Sequence, residues 1–206
     1  MDIGIPVAEY EKIDISDLVQ KMAELPAGFW ETDRATRVKL AGDRPGNALF
    51  YFNDSPVFIN RHPMEEAQSG TLNVLRSVDK PLYAEIAQLI DQAIIPHYSW
   101  CQPMRVQLAE LPAGQEISPH RDRFILARVH RLHIPLATNP GVKFFVDGHV
   151  LTLEQGRLYE LNNTVLHSVK NDGDAVRIHL MVDMLPKNVA SVAYHDTPGA
   201  MIAAIG

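Results

Sequence analysis

Two histidines and an aspartate in the second half of the chain have the types and spacing of a metal site. His120 and Asp122 flank a single residue, and side chains alternate along an extended strand, so both would point to the same side. If a neighbouring strand brings His167 alongside, two imidazole nitrogens and one carboxylate oxygen cover one face of a metal ion. This facial triad leaves coordination positions open and suits ferrous iron. The spacing therefore predicts a metal site of the kind that oxygenases use.

Arg177 is an unusual residue for the apolar segment Ala175–Leu185, because a charged group is costly to bury without a partner. Strand alternation places it on one face with His179, Met181 and Asp183, a polar face that a barrel could enclose. There its guanidinium would offer a bidentate fork to a dicarboxylate co-substrate. The competing interpretation puts this arginine on the solvent face, paired with an aspartate of the preceding turn.

A second cluster of charged residues precedes this segment. Arg131 and His133 share one face of a predicted strand and could bind a carboxylate through charge-assisted hydrogen bonds. Cross-strand pairing with Glu154 or Glu160 accounts for them equally well. A rival metal pair, His130 with His133, is disfavoured because these two side chains face opposite sides of the strand.

The elements that must position these residues are predominantly strands. Helical spacing of apolar residues predicts helices over residues 14–25 and 81–95, and residues 48–52 and 57–59 have the pattern of short strands. Further strands are predicted over Met104–Leu111, Leu126–Ala137, Val142–Val146, His149–Leu153, Arg157–Leu161, Ser168–Lys170 and Ala175–Leu185. Turn residues separate them, and Asp147-Gly148 is a strong hairpin signal. Many short strands with helices mostly before them predict a mainly β fold with flanking helices, a cupin-like jelly roll or double-stranded β-helix.

The chain length is compatible with one domain over residues 1–206. We expect a helix-rich part, residues 1–100, to pack on the barrel, and residues 104–185 to form the catalytic core. A C-terminal tail would then follow over residues 186–206. Its end, residues 200–205, is apolar for a terminus, so self-association as a homodimer is an open possibility.

Composition argues against several other classes of protein. With 46% apolar and 21% charged residues the chain has the balance of an ordinary globular protein. The net charge of −6 and the scattered basic residues argue against a nucleic-acid partner. The single cysteine, Cys101, excludes an internal disulfide framework and fits a reducing compartment. No apolar run is long enough to span a bilayer, and the first residues lack a secretory signal. We therefore expect a cytoplasmic protein.

Taken together, the motifs resemble the aspartyl/asparaginyl β-hydroxylase family of iron(II)- and 2-oxoglutarate-dependent dioxygenases. The resemblance covers roughly residues 104–185, and the order and spacing of its parts make it specific. The matching segments are Ser118–Asp122, Arg131–Leu136, His167–Asn171 and Asp174–Asp183.

The resemblance implies a role for each of these side chains. His120, Asp122 and His167 would be the metal ligands, and Arg177 would bind the distal carboxylate of 2-oxoglutarate. The pair that contacts the co-substrate from the neighbouring strand would be Arg131 and His133. The implied cofactors are Fe(II), 2-oxoglutarate and O2. The implied reaction hydroxylates a C–H bond of an amino acid or peptidyl residue, with release of succinate and CO2.

One position distinguishes this chain from some members of the family. The vertebrate members that act on aspartate and asparagine in protein domains have a glycine at the position of Asp122. The complete triad therefore resembles the small bacterial members, some of which hydroxylate free amino acids such as proline.

Two alternatives of different kinds compete with this hypothesis. One is a cupin-like metalloenzyme that does not use 2-oxoglutarate, and such an enzyme has no need for Arg177 and Arg131 at these positions. The other is a non-catalytic jelly-roll module that binds a ligand or partner and keeps its metal for structure. Structural metal sites tend to have four ligands with cysteine or histidine, whereas this chain offers three ligands and no nearby cysteine.

Overall fold

Two antiparallel β-sheets face each other at the centre of the structure, a computed structural model that describes residues 1–26, 28–31, 47–50 and 81–188. In the described residues, the larger sheet has six strands in the order β1-β8-β5-β10-β3-β2 and the smaller has four in the order β4-β9-β6-β7. Their bounds are β1 Val7–Lys12, β2 Asn47–Phe50, β3 Cys101–Leu111, β4 Glu116–His120, β5 His130–Ala137, β6 Val142–Val146, β7 His149–Leu151, β8 Arg157–Leu161, β9 His167–Asn171 and β10 Arg177–Pro186.

Helices cover the outer face of the larger sheet. Helix α1 spans Ser16–Ala23, and α2 spans Tyr83–Leu89 and continues into a π-helical turn over Ile90–Ile94. Short 3-10 turns lie at Phe29–Glu31 and Phe124–Arg128. The buried helical side chains belong to the same hydrophobic cluster as the outer-face residues of β3, β5 and β10. None of the helices in the described ranges has the length and apolar character needed to cross a bilayer.

The alternation of side chains in β10 separates an apolar layer from a polar one. Leu180 and Val182 are fully buried in the cluster beneath the helices. Arg177, His179 and Asp183 alternate with them and face the space between the two sheets, where they are also almost completely buried. Strands β3 and β5, which flank β10, show the same division. The larger sheet therefore carries a hydrophobic core on one face and a buried polar surface on the other.

The mainly β fold that the sequence predicts is confirmed, and most predicted strands match observed ones within a few residues. The prediction of strand from Leu126 onward is wrong over its first residues, because residues 124–128 form a 3-10 turn. Strand β5 pairs with β10 from His130 onward and with β8 from Arg131 onward, so the described pairing begins only after the 3-10 turn. The second predicted helix is shorter than expected as an α-helix and ends as a π-helical turn.

Two strands were not predicted, β1 and β4, and both are sheet edges in the described structure. Neither strand contains a fully buried residue, so their sequences lack a clear alternation of apolar and polar positions. The predicted strand at residues 57–59 and nearly all of the predicted tail, residues 189–206, lie outside the described residues.

The turn between β5 and β6 contacts the turn between β9 and β10 backbone to backbone. Gly141 accepts a hydrogen bond of 3.0 Å from the backbone N–H of Asp172. A Cβ atom at Gly141 would lie 2.2 Å from the backbone nitrogen of Gly173, and this contact cannot be relieved by rotating a side chain. The approach of these two turns places the start of β10, and with it Arg177, beside β6.

Replacing this glycine tests the tight approach. We expect Gly141→Ala to lower the free energy of unfolding by about 1–3 kcal/mol, the usual cost of overpacking. Urea unfolding followed by circular dichroism measures it. Lys170→Ala, which removes one partner of an exposed ion pair, is the matched control and should change stability by less than about 1 kcal/mol. Equal stability of Gly141→Ala and the parent protein would contradict the described contact.

Candidate metal and co-substrate site

The pairing of β4 with β9 brings the predicted metal ligands together. His120, the last residue of β4, lies opposite His167, the first residue of β9, and the centroids of their rings are 4.3 Å apart. Asp122 lies two residues beyond the end of β4, and its backbone N–H donates to the carbonyl of Asn163 at 2.9 Å. One ligand atom from each of the three side chains lies within 4.8 Å of the other two. Three donors from two chain segments therefore converge on one point.

The hydrogen bonds of both histidines use Nδ1 and leave Nε2, the nitrogen that would bind a metal, available. Nδ1 of His120 is 2.8 Å from the carbonyl oxygen of Ser118, and Nδ1 of His167 is 2.9 Å from that of Val165. A carbonyl only accepts hydrogen bonds, so each Nδ1 carries the proton and each Nε2 presents a lone pair. Burial lowers the pKa of His167, which favours its neutral, metal-binding form. Histidine ligands in metalloproteins are oriented by this type of contact.

Asp122 is likewise held through one of its two oxygens, so that the other stays available. Its Oδ2 accepts a hydrogen bond from Nη1 of Arg131, whereas its Oδ1 lies 3.9 Å from Nε2 of His120. The oxygen that faces the histidines is therefore the one that remains available. Cis ligands of one metal are about 3 Å apart at metal–ligand distances of about 2.1 Å, so the donors would move closer together on binding a metal. The donor set and its unused atoms fit a divalent ion such as iron.

Arg131 lies between two carboxylates. Its Nε and Nη2 donate to Asp183 at 2.8 and 3.1 Å, and its Nη1 donates to Asp122. Arg105 binds Asp183 from the other side, and its Nε donates to Oδ2 of Asp183 at 2.8 Å. Asp183 lies directly opposite both arginines in the ladders of β10 with β3 and β5. The alternative pairing of Arg131 with Glu154 or Glu160 is wrong. Glu160 bonds instead to His130 and Tyr98, and Glu154 bonds to Lys12 and Arg157.

The same ion pairs determine the protonation of Asp183. Burial alone would raise the pKa of this carboxyl, but Arg105 and Arg131 outweigh burial and lower the pKa to about 2. Its role was not predicted. Alternation placed Asp183 on the polar face of its strand, but its partners are far away in the sequence, and no local pattern identifies them.

Arg177 is in the opposite situation. Its side chain is only 1% exposed, and it forms no ion pair with any residue in the described part of the chain. Its Nε has no hydrogen-bond partner among the described residues, and the guanidinium carbon lies 5.9 Å from the centre of the Phe144 ring. The interpretation that places Arg177 on the solvent face is therefore wrong. Burial lowers its pKa to about 10, so the group still carries its charge at neutral pH.

His133 lies on the neighbouring strand and completes this buried polar face. It is 5% exposed, and its Nδ1 lies 3.4 Å from Nδ1 of His179. Burial, then the charges of Arg131 and Arg177, lower the pKa of His133 well below the usual value, so the ring is neutral. His130 points to the other side of the strand and bonds to Glu160 at 2.6 Å, as expected of a residue outside the metal site.

One cavity connects the groups described above. It has a volume of about 540 Å³, within the range of about 300–1,000 Å³ that is typical of small-molecule sites. Its walls include all six side chains that the sequence singles out: His120, Asp122, His167, Arg131, His133 and Arg177. A candidate metal site and a buried cation without a counter-ion among the described residues thus open into the same space, as expected of a cupin-like metal-dependent oxygenase.

The family to which the chain belongs agrees with this arrangement. The sequence model described as aspartyl/asparaginyl beta-hydroxylase matches residues 77–186, more than half of the chain, and the chain belongs to this family. The family consists of Fe(II)- and 2-oxoglutarate-dependent hydroxylases, and the chain is an enzyme of this class. A search of curated proteins found no match.

Several solved structures are similar in part or over most of their length. A prolyl-4-hydroxylase from Pseudomonas putida is 16% identical, with 87% of this chain and 92% of that chain covered and a TM-score of 0.44. A cupin domain from Bordetella pertussis is 20% identical over 41% of this chain and 92% of that chain, with a TM-score of 0.32. A predicted oxalate decarboxylase from Thermotoga maritima is 17% identical over 44% and 71%, with a TM-score of 0.34.

The charge of Asp183 leads to a prediction about stability and pH. Its pKa is lower in the folded state than the ordinary value of 3.8, so ionised Asp183 stabilises the fold above about pH 4 and this contribution is lost as pH falls towards 2. The contribution is about 2 kcal/mol, of which about half should be lost by pH 3. Asp183→Asn cannot titrate, so the stability difference between parent and variant should shrink on acidification.

Urea unfolding of both proteins between about pH 6 and pH 3 measures this difference. Asp172→Asn, which alters an exposed carboxylate paired with Lys170, is the control, and its difference from the parent should stay small throughout. A parent–Asp183→Asn difference that does not change with pH would show that Asp183 titrates normally in the folded protein.

Proposed function

We propose that this chain is an Fe(II)- and 2-oxoglutarate-dependent dioxygenase that hydroxylates a C–H bond of an amino acid or peptidyl residue, releasing succinate and CO2. The observation that carries the proposal is the combination of two features in one cavity. One is a set of three metal-binding side chains whose donor atoms are unused, and the other is the buried Arg177 that has no described counter-ion. Family membership supports the same reaction class.

The metal would be held by Nε2 of His120, Oδ1 of Asp122 and Nε2 of His167. Three ligands leave room for a bidentate co-substrate and for dioxygen. Ferrous iron and 2-oxoglutarate, when bound, supply the activation of dioxygen and the electrons for it. The chain's own residues set the geometry: the carbonyls of Ser118 and Val165 orient the two imidazoles, and Arg131 holds the carboxylate.

The co-substrate would place its distal carboxylate against Arg177. A buried cation without an anion is unfavourable, and a bound carboxylate removes that cost while gaining charge-assisted hydrogen bonds. His133, on the adjoining strand, is a second group for this ligand. Because Arg131 already donates to Asp122 and Asp183, we assign it chiefly to holding Asp122, and its contact with 2-oxoglutarate stays a prediction.

A cupin-like metalloenzyme without 2-oxoglutarate explains the triad but not Arg177. A binding module that keeps a metal for structure explains neither the open coordination nor the uncompensated charge. For the substrate we propose a small amino acid or a peptidyl residue, since the cavity of about 540 Å³ must also contain the co-substrate. Neither a nucleic acid nor a membrane is required by this proposal.

Turnover assays test the reaction and the metal ligand together. The protein with Fe(II), 2-oxoglutarate and air, supplied with a panel of free amino acids and short peptides, should release succinate with at least one of them. Asp122→Ala removes one of three ligands, so we expect weak metal binding and no succinate. Asp172→Ala, which removes an exposed carboxylate, should match the parent. Succinate release by Asp122→Ala at the parental rate would remove Asp122 from the ligand set.

A second variant tests the co-substrate site. Hydrogen bonds to charged groups contribute roughly 1.5–3 kcal/mol, so Arg177→Ala should weaken 2-oxoglutarate binding by about tenfold to a hundredfold. Arg177→Lys keeps the charge but loses the planar fork, and an intermediate affinity is expected. Arg157→Ala alters an arginine that pairs with Glu154 at the surface and serves as control. Titration of the Zn(II)-loaded parent and of the three variants with 2-oxoglutarate gives the four affinities, and an unchanged affinity of Arg177→Ala would refute the assignment.

A further inference from the structure

His179 is a buried, titratable side chain that the proposed reaction does not use. It is 0% exposed and lies behind His133, with Nδ1 of one ring 3.4 Å from Nδ1 of the other. The ring of His179 stacks on Phe144, with the centroids 5.4 Å apart and the planes inclined by 13°. Its Nε2 is buried and has no hydrogen-bond partner in the described structure. Burying a polar ring with one unpaired nitrogen is unfavourable, so the presence of His179 here requires an explanation.

The contact between the two Nδ1 atoms can form in only two ways. Burial lowers the pKa of both histidines well below the usual value, and nearby positive charge lowers it further, so both rings are neutral and each carries one N–H. Either Nδ1–H of His179 donates to Nδ1 of His133, or the donor and acceptor are reversed. The direction of this hydrogen bond determines which of the two rings carries its hydrogen on Nε2 and which has a lone pair there.

The unpartnered Nε2 of His179 decides between them. If His133 were the donor, His179 would carry its hydrogen on Nε2, as a buried N–H with no acceptor, which is the rarer and less favourable kind of unsatisfied group. If His179 is the donor, its Nε2 is a bare lone pair.

We propose that His179 is a positioning residue whose Nδ1–H donates to Nδ1 of His133 and so fixes His133 as the tautomer that carries its hydrogen on Nε2. His133 lines the cavity, so this tautomer offers a neutral N–H donor to an acceptor oxygen of the bound ligand. The opposite tautomer would present a lone pair, which repels a carboxylate or keto oxygen. That the ligand is 2-oxoglutarate rests on the proposed function, whereas the tautomer does not.

Nitrogen-15 NMR of the metal-free protein tests the tautomer directly. Two-bond proton–nitrogen correlations distinguish the protonated from the unprotonated nitrogen in each ring, and a His133→Phe sample assigns the signals. We expect hydrogen on Nε2 of His133 and on Nδ1 of His179. Hydrogen on Nδ1 of His133 in the parent protein would overturn the proposal, whatever the co-substrate is.

Variants then test whether His179 is the cause. His179→Leu has no donor, so the preference of His133 for Nε2–H should be lost or reversed. His179→Asn can still donate through its amide and should retain part of that preference. Ile178→Val removes one methyl group from the adjacent residue, which faces the helices, and should leave the tautomer unchanged. If His133 keeps the Nε2–H form in His179→Leu, its tautomer has another cause and the proposal is wrong.

Co-substrate affinity provides the second measurement. We expect Zn(II)-loaded His179→Leu to bind 2-oxoglutarate about tenfold more weakly than the parent, because an Nε2–H bond to a charged oxygen is lost. Ile178→Val should bind like the parent. If the parent itself does not bind 2-oxoglutarate, the proposed function fails, but the NMR result still decides the proposal about His179. An altered tautomer with unaltered affinity would show that His133 does not contact the ligand.

Discussion

The buried charge of Arg177 is the constraint on which the account of this cavity depends. The guanidinium is enclosed between two sheets and has no counter-ion among the described residues. Removing a charge from water without pairing it is costly, and the side chain of Arg177 is only 1% exposed. A ligand with a carboxylate would remove this cost, so the burial of Arg177 is the main reason to propose an anionic ligand for this cavity.

The other buried arginine shows how specific this situation is. Arg131 has two carboxylate partners, Asp122 and Asp183, and Arg105 in turn binds Asp183 from the opposite side. This alternating series of charges neutralises itself. It also restrains Asp122 through one oxygen and leaves the other for a metal. Two arginines on neighbouring strands therefore differ in their surroundings, because Arg131 has carboxylate partners and Arg177 has none among the described residues.

Much of this arrangement could be predicted from the sequence, because it follows from local patterns. The signals for the His120 and Asp122 pair and for the alternation along β10 each lie within a short stretch of sequence. The pairing that places His167 opposite His120 was only a condition of the prediction, since register between strands is a long-range property. The ion pairs of Asp183 and the proposed role of His179 were missed for the same reason, since both depend on partners that are distant in the sequence.

The most direct test of the central claim is a crystal structure of the protein with Zn(II) and 2-oxoglutarate. The account predicts a metal bound by Nε2 of His120, Oδ1 of Asp122 and Nε2 of His167, and a distal carboxylate within hydrogen-bonding distance of Arg177. A metal bound elsewhere, or a ligand whose distal carboxylate lies away from Arg177, would contradict it.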